Sequence, residues 1–462
     1  MQSPAAHARH LVLHPPRPCG RRRANSPTNT ILAFGALHVP CYSRPMIDPR
    51  RQGPESMRCF YLDPGLRYDL GHHANFCRRI IAALRRRGVA TQVFASAGLD
   101  PQLGVELPAE PLFRALTYLS GDGDPICGWL SGFDLYVRTT LEDLSRLPPM
   151  APSDLVYVST AWPPQLMAAL LWHRGLPDGR RPCLVVEANE TGLIGRRDGD
   201  VIKLDAPDNP RDDARPLLFR FIGRRHLQPM PARMHVVTFD PTTTASLGQL
   251  LGCAIRTVPL PYDAVVPLRS RAGARPITIA CLGHQNMRKG YPLLPELVGQ
   301  LLARHADIRL LIQTVNIGDA GAAETTSALR AMAGHDRRLT LDDQPAGSNR
   351  WPLLVAQADL LLCPYQPEFY VDSFSSMICE ALANAVPVVV PAGTTLQALL
   401  DACGGPGVTF AAGAPGPILA ATEAALRQFD HFARRAYEAA LDWPATRGSD
   451  RLAQVLIDLA AS

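Results

Sequence analysis

No stretch of this 462-residue chain stays apolar for the roughly 18 to 20 residues that a helix needs to cross a bilayer, which excludes an integral helical membrane protein. There is no C-x-x-C pair either. The eleven cysteines stand singly, at 19, 41, 59, 77, 127, 183, 253, 281, 363, 379 and 403. Cys183, Cys281 and Cys363 sit inside apolar, strand-like runs. That pattern reads as reduced, buried thiols in a cytoplasmic protein, and as neither a disulfide framework nor a zinc site. G-x-x-x-x-G-K-S/T and G-x-G-x-x-G are both missing, which weakens ATPase and dinucleotide readings. Asp-Gly-Asp does occur, at Asp122–Asp124 and Asp198–Asp200. Both copies lie in Gly- or Pro-bearing turns and not at the end of an apolar strand, so turn chemistry comes first and no metal or other cofactor is expected.

What is present is globular: 47% hydrophobic and 19% charged residues, enough for two cores of about 200 residues each. The net charge of +5 is unevenly placed. Residues 1–56 carry eight arginines, no lysine and two acids, Asp48 and Glu55, a net of +6; taking that from +5 leaves residues 57–462 at −1. This Pro- and Arg-rich leader has no amphipathic period and is expected to be disordered. It reads as a nucleic-acid-binding tail, a transit peptide, or sequence upstream of a start at Met57. The last is preferred because the strand "MRCFYLD" begins at once, and no nucleic-acid partner is expected.

From residue 58 the pattern is strand ("CFYLD"), glycine-bearing loop ("PGLRYDLGHH"), helix ("ANFCRRIIAALRRRG") and strand ("ATQVFAS"), a βαβ unit. Strands follow at 154–159, 183–188, 234–239 and 255–261. After the Pro- and Arg-rich stretch 265–276, a linker candidate, a second α/β half begins: "ITIACLG", "IRLLIQTV", "RLTLDD", "DLLLCPY" and "PVVVP" alternate with helices. The expectation is two Rossmann-like, doubly wound parallel-sheet domains facing across a cleft, at 57–265 and 266–430, with helices over 431–462. Chemistry is then sought in the loops after strands.

Two such loops stand out. "GHQNMRKG" places Gly283, His284, Gln285, Arg288 and Lys289 where a helix opens, a position that favours an anion. Alone, an Arg-Lys pair is more often a solvated turn. The second, "YVDSFSSMICEALANAVPVVVP", sets Asp372 and Glu380 eight positions apart. In a continuous helix that is about 12 Å along the axis and about 80° around it. Such a separation fits neither a carboxylate dyad of about 5 Å nor a pair about 6.5 to 9.5 Å apart that straddles a water. It fits a grip on two parts of one elongated ligand, with Ser373, Ser375 and Ser376 adding hydroxyls at the helix start. Singly, Asp372 is an N-cap and Glu380 an exposed helix residue.

The combination resembles the second domain of GT-B glycosyltransferases, in particular the family-4-type retaining enzymes that use nucleotide-sugars. It consists of the Gly-His-Gln and Arg-Lys-Gly loop, the first acid, seven residues, Glu380-Ala381, and Ala385, Pro387, Val388 and Val389. The likeness runs from about 57 to 430. It implies a hexosyl-type transferase without a metal, in which Lys289 and Arg288 neutralise the departing nucleoside diphosphate and Asp372 holds the donor sugar. Glu380 would take the ribose hydroxyls, and Gly71 would let the first domain approach the diphosphate. His72, Gly283, His284, Gln285, Ser373, Phe374, Ser375 and Ser376 fall in the matching donor-side loops. His72 and His73 are read as loop residues. Glu187, Asn189 and Glu190, after an apolar strand, are expected on the acceptor side. His284 stands where the family carries arginine, Asp372 where it carries glutamate, and serines replace the glycines around Phe374. The implied partners are a nucleotide-sugar donor and a carbohydrate or lipid-linked acceptor, with segment 112–144 as an acceptor-specific insertion or a peripheral contact with the inner membrane surface. The alternatives are a non-catalytic GT-B-like binder of nucleotide-sugars and a nucleotide-sugar epimerase.

Overall fold

The computed structural model describes residues 57–118, 125–188, 190–193, 195–198, 201–204, 214–316 and 321–462. The leader at 1–56, Asn189, Asp122, Asp124 and Asp200 lie outside them. In the first domain β1 (Arg58–Asp63), β2 (Ala90–Ser96), β3 (Ala109–Phe113), β4 (Leu155–Val158) and β5 (Cys183–Glu187) come first. An antiparallel hairpin, β6 (Gly195–Asp198) with β7 (Val201–Leu204), precedes β8 (Met234–Thr238) and β9 (Arg256–Thr257). Apart from the hairpin these strands form one parallel sheet, in the order β3-β2-β1-β4-β5-β8-β9. The expected strand at 255–261 shrinks to the two residues of β9, because Pro259 and Pro261 have no N–H to give to a ladder. The second domain holds β10 (Ile277–Cys281), β11 (Ile308–Gln313), β12 (Leu339–Asp342), β13 (Leu360–Leu362), β14 (Val388–Pro391) and β15 (Gly407–Phe410). They form a parallel sheet ordered β12-β11-β10-β13-β14-β15. β5 and β14 are buried along their whole length, as expected for strands covered by helices on both faces.

In each sheet the strand order turns back once, between β1 and β4 and between β10 and β13. Open parallel sheets form their ligand crevices at such points. The loops after β1, β10 and β13 therefore bound the cleft.

Two features tie the domains together. The chain passes from the first domain to the second over 261–276, and this stretch is anchored at every few residues. Asn384 Oδ1 accepts from the Val265 and Val266 amides at 2.8 and 3.2 Å. The Arg271 side chain, 2% exposed, donates to the carbonyls of Val355, Ala358, Asn384 and Ala385 at the ends of two helices, where the helix dipole favours a cation. Burial draws its pKa down to about 10, which leaves it charged at neutral pH. Arg271→Met is expected to cost about 3 kcal/mol, measured by urea melts, because it strands these buried carbonyls together.

The chain then returns. Helix Ser449–Ala461 packs Leu452, Leu456 and Leu459 into the apolar cluster that contains Tyr157 and Cys183 of the first sheet. Asp450 pairs with Arg86 and Arg87 at 2.9 and 2.7 Å. The last helix is thus part of the first domain's wall. At the return, Trp443 Nε1 donates to the Tyr262 carbonyl (2.6 Å), Gly448 N to the Leu260 carbonyl (2.8 Å) and Ser449 N to Asp263 Oδ1 (2.9 Å). No helix of the described residues is long and apolar enough to cross a membrane.

Candidate active site

The loop after β1 enters helix Gly71–Arg86 through Gly71, whose φ of +70° makes the turn without a side-chain clash. Starting there, the helix takes in His72 and His73, which sequence alone assigns to a loop. Leu70, at the N-cap, offers no side-chain oxygen to the first N–H groups. Helix Ser376–Ala383, which carries Glu380, starts in the same way: Ser375 makes no side-chain cap.

Lys289 is delivered by a short 3-10 turn, Met287–Lys289. Asn286 Oδ1 accepts its amide at 3.0 Å, and Gly290 (φ +68°) follows, where a Cβ would fall on the Pro364 carbonyl. Gly283, at φ +92°, clears the other side, since a Cβ there would stand 3.2 Å from Lys289 Nζ. Successive side chains in a 3-10 turn diverge by about a third of a circle. The two basic residues therefore part: Lys289 enters the main cleft, whereas Arg288 lies over the Phe369 ring at 5.2 Å and faces a separate recess.

Two recesses meet at Lys289. One, of about 200 Å³, has Gly71 and His72 on the first domain and Gly283, Ser376, Trp351 and Glu380 on the second. The other, of about 150 Å³, is walled by His72, Trp162, Glu187, Glu190, Phe374 and Ser376. Burial pulls the Lys289 ammonium down to about 8. Among the described residues no carboxylate lies within ion-pair distance of it. Burial, then its Lys289 neighbour, also lowers His284. His72 is held well below the usual imidazole range by burial and by His73, so it presents a neutral ring to both recesses. Behind it His73 Nδ1 meets Asp63 Oδ1 at 2.8 Å, and His73 Nε2 meets the Tyr118 hydroxyl at 2.8 Å. Burial alone would lower His73; the Asp63 carboxylate outweighs it and holds the ring above its ordinary value. A larger cavity, of about 380 Å³, lies elsewhere on the seam, among Phe239, Leu260, Ile378 and Leu396. Its mostly apolar wall offers little to polarise a bond, so the Lys289 recesses are the candidate site.

The two acids fare differently. Glu380, 4% exposed, accepts from Arg79 Nη2 at 2.8 Å across the cleft. Burial raises its pKa against the opposing pull of Arg79. Asp372, 1% exposed, takes the Thr191 hydroxyl in a short hydrogen bond and sits with Ser373, Arg215 and Arg288 in the separate small recess. The helix begins only at Ser376, so the two acids do not share a continuous helical ladder. Gln285 is buried in the fold: its amide donates to the Val315 carbonyl (2.8 Å) and its own carbonyl accepts from Asn316 Nδ2 (2.8 Å). On the first domain, Tyr157 and Ser159 donate to Glu187 Oε2 at 2.9 and 3.1 Å, and burial lifts this carboxyl to about 7. Glu190 pairs with Arg215 at 2.6 Å. Sequence reasoning missed Arg79, Tyr262 and Trp351, all close to Glu380. It also missed Asp69, whose Oδ2 accepts from both the amide and hydroxyl of Ser348 at 3.0 and 2.9 Å.

No family model matches the chain, and no curated protein matches it. Solved structures do. Sucrose-phosphate synthase from Thermosynechococcus elongatus superposes with a TM-score of 0.58 at 14% identity, over 88% of this chain and 100% of that one. HepE from Anabaena, solved with UDP and glucose, gives 0.56 at 15%, over 88% and 99%. WaaG, described as a glycosyltransferase of lipopolysaccharide biosynthesis, gives 0.53 at 15%, over 88% and 100%. At such identities the likeness is one of architecture, and the architecture is GT-B: two parallel α/β domains about a cleft, over nearly the full length of each neighbour.

Proposed function

We propose that the protein is a glycosyltransferase that takes a sugar from a nucleotide-sugar and passes it to an acceptor hydroxyl with retention of configuration. One observation carries this: Lys289, a lysine drawn out of water without a counter-charge among the described residues, stands where two uncapped helix starts, one from each domain, open on the same recess. A buried charge of this kind calls for an opposite one, and helix N-termini supply N–H groups to an anion. A diphosphate meets both demands. HepE, one of the structural neighbours, is solved with UDP-glucose.

In this reading the bond between the anomeric carbon and the diphosphate oxygen breaks, and its electron pair leaves with the diphosphate. Lys289 and the two helix starts stabilise that charge as it develops. The acceptor oxygen bonds the anomeric carbon on the face just vacated, and its proton passes to the departing phosphate oxygen. No metal takes part. His72 borders both recesses and contacts the sugar as a neutral ring, while Glu187 and Glu190 line the side from which the acceptor enters. Closing of the domains keeps water out. The test is incubation of the full chain with UDP-, GDP- and ADP-sugars, with chromatography for released nucleoside diphosphate. Release from one of them, lost in Lys289→Met, is the expected result; absence of release from all of them, with or without added sugar acceptors, overturns the reading.

One observation favours a non-catalytic nucleotide-sugar binder: Asp372 is engaged by Thr191 and lies outside the Lys289 recesses. Tight binding of a nucleotide-sugar with no turnover is the outcome that this second reading expects.

A further inference from the structure

Behind the wall of the recess four polar side chains stand in line: Asp63, His73, Tyr118 and His72. Both Asp63 oxygens approach His73 Nδ1, at 2.8 and 3.0 Å, and Oδ1 also accepts the Gly65 amide at 2.9 Å. His73 Nε2 lies 2.8 Å from the Tyr118 hydroxyl, and the same hydroxyl lies 3.4 Å from His72 Nε2. Asp63 and His73 are buried. The fold keeps room for them at Gly65, where a Cβ would fall on the His73 ring. The His72 ring, stacked on His73 with 4.2 Å between centres, is the member that borders both recesses.

The hydrogens in this line can be counted. A carboxylate only accepts, so His73 Nδ1 carries one. The phenol has a single hydrogen and keeps it at neutral pH, and it cannot serve both imidazoles at once. When His73 is charged, its Nε2–H donates to the Tyr118 oxygen. The Tyr118 hydrogen then turns to His72, whose Nε2 is bare and whose own hydrogen stands on Nδ1. When His73 is neutral, its Nε2 takes the Tyr118 hydrogen. The Tyr118 oxygen then accepts from His72, whose hydrogen stands on Nε2 and whose Nδ1 is bare. His72 Nδ1 makes no hydrogen bond among the described residues, so it is the nitrogen left for whatever fills the recess.

His73 is faced by Asp63 from β1, by Glu187 at the end of β5 and Glu190 beyond it, by His72 on its own helix, and by Tyr118. Burial lowers it, and the carboxylates, Asp63 first, outweigh that and hold it above its ordinary value. We propose that Tyr118 is a positioning residue that hands the charge state of His73 to His72 as a choice of tautomer. A charged His73 makes His72 Nδ1 a donor to the recess, and a neutral one makes it an acceptor. The link itself needs no nucleotide. Its use rests on the transferase reading: an Nδ1–H can donate to a diphosphate oxygen, whereas a bare Nδ1 sets a lone pair against it.

The experiment is nitrogen-15 NMR of the full chain labelled at histidine, from about pH 5 to 9, with His72→Gln and His73→Gln to assign the two rings. A bare ring nitrogen and a protonated one resonate far apart, so each tautomer is read directly. While His73 carries two hydrogens, His72 is expected to be bare at Nε2 and protonated at Nδ1. As His73 loses its Nε2 hydrogen, the two His72 signals should exchange character at the same midpoint, the ring staying neutral. Tyr118→Phe keeps the ring that meets Trp162 edge-on at 5.3 Å and removes only the hydroxyl. In that variant His72 should hold one tautomer whatever the state of His73, a change that a merely structural tyrosine would not cause. The link is overturned by a His73 that never carries two hydrogens, or by a His72 with its hydrogen on Nε2 while His73 does. It is equally overturned by a His72 that keeps its tautomer when His73 loses a hydrogen, or by a Tyr118→Phe chain that behaves as the native one. None of these outcomes touches the donor reading, which release of nucleoside diphosphate tests separately.

Discussion

Lys289→Met is expected to lower kcat/KM for sugar transfer by about 10²–10³-fold or more, the loss that follows when a preorganised partner of a developing anion is removed. The unliganded variant should melt no earlier than the native chain, because methionine keeps the volume and relieves the burial of an unpaired charge. Loss of activity without loss of stability separates a ligand-binding lysine from a structural one. The pH dependence has a definite sign. Held near 8 in the fold and free to titrate near 10.5 when unfolded, Lys289 is protonated in both states below pH 8, where the cost of burying its charge is fully present. Between those values the folded state sheds the proton first, so this cost fades and the lysine's contribution to stability improves as pH rises. Diphosphate binding shows the reverse trend, falling by up to about tenfold per pH unit above 8 as the cation is lost. Calorimetry across pH 7 to 10 checks this, and an affinity flat over that range, or full activity in the variant, sinks the assignment.

Glu380→Ala should be costly twice over. It leaves the Arg79 guanidinium, with only 13% of its side chain exposed, buried without its partner, and such breaks cost about 3–5 kcal/mol. It also removes the carboxylate to which the resemblance assigns the ribose hydroxyls. The double substitution Arg79→Met with Glu380→Leu replaces the ion pair by apolar volume, and its stability should return to within about 1 kcal/mol of the native chain. Nucleotide binding should not return with it. Urea melts of the two single variants and the double one form the cycle, read together with calorimetric affinity. A double variant that binds nucleotide normally would show that the pair merely holds the domains together.

Strands such as β5 and β14 are continuous apolar runs and could be read locally, as could the two-domain alternation they belong to. Lys289 and Glu380 stand out in the sequence because each lies in a compact pattern beside a strand, and the fold brings the two into one recess. Pairings between distant loops leave no such trace. Arg79 and Glu380 are 301 residues apart in the chain, and Thr191 and Asp372 are 181 apart. No period or spacing links them, so the grip expected of Asp372 rests on its spacing from Glu380 and on resemblance, whereas the fold places that carboxylate against the first domain. Arg288 and Lys289 were read as one charge cluster because adjacency in sequence hides the divergence of side chains in a 3-10 turn. His72 and His73 read as loop residues because they close the turn-rich, glycine-bearing stretch "PGLRYDLGHH", and the helix in fact begins at Gly71.

Tyr262 carries a mechanical implication. The chain crosses between the domains twice, and the two crossings are stitched together by hydrogen bonds at Leu260, Tyr262 and Asp263. Two crossings stitched at one place join the domains along one short seam, and not through a single strand of chain. Tyr262 has its carbonyl in that stitch and is one of the residues that wall the recess. One residue thus belongs both to the joint between the domains and to the wall of the candidate site.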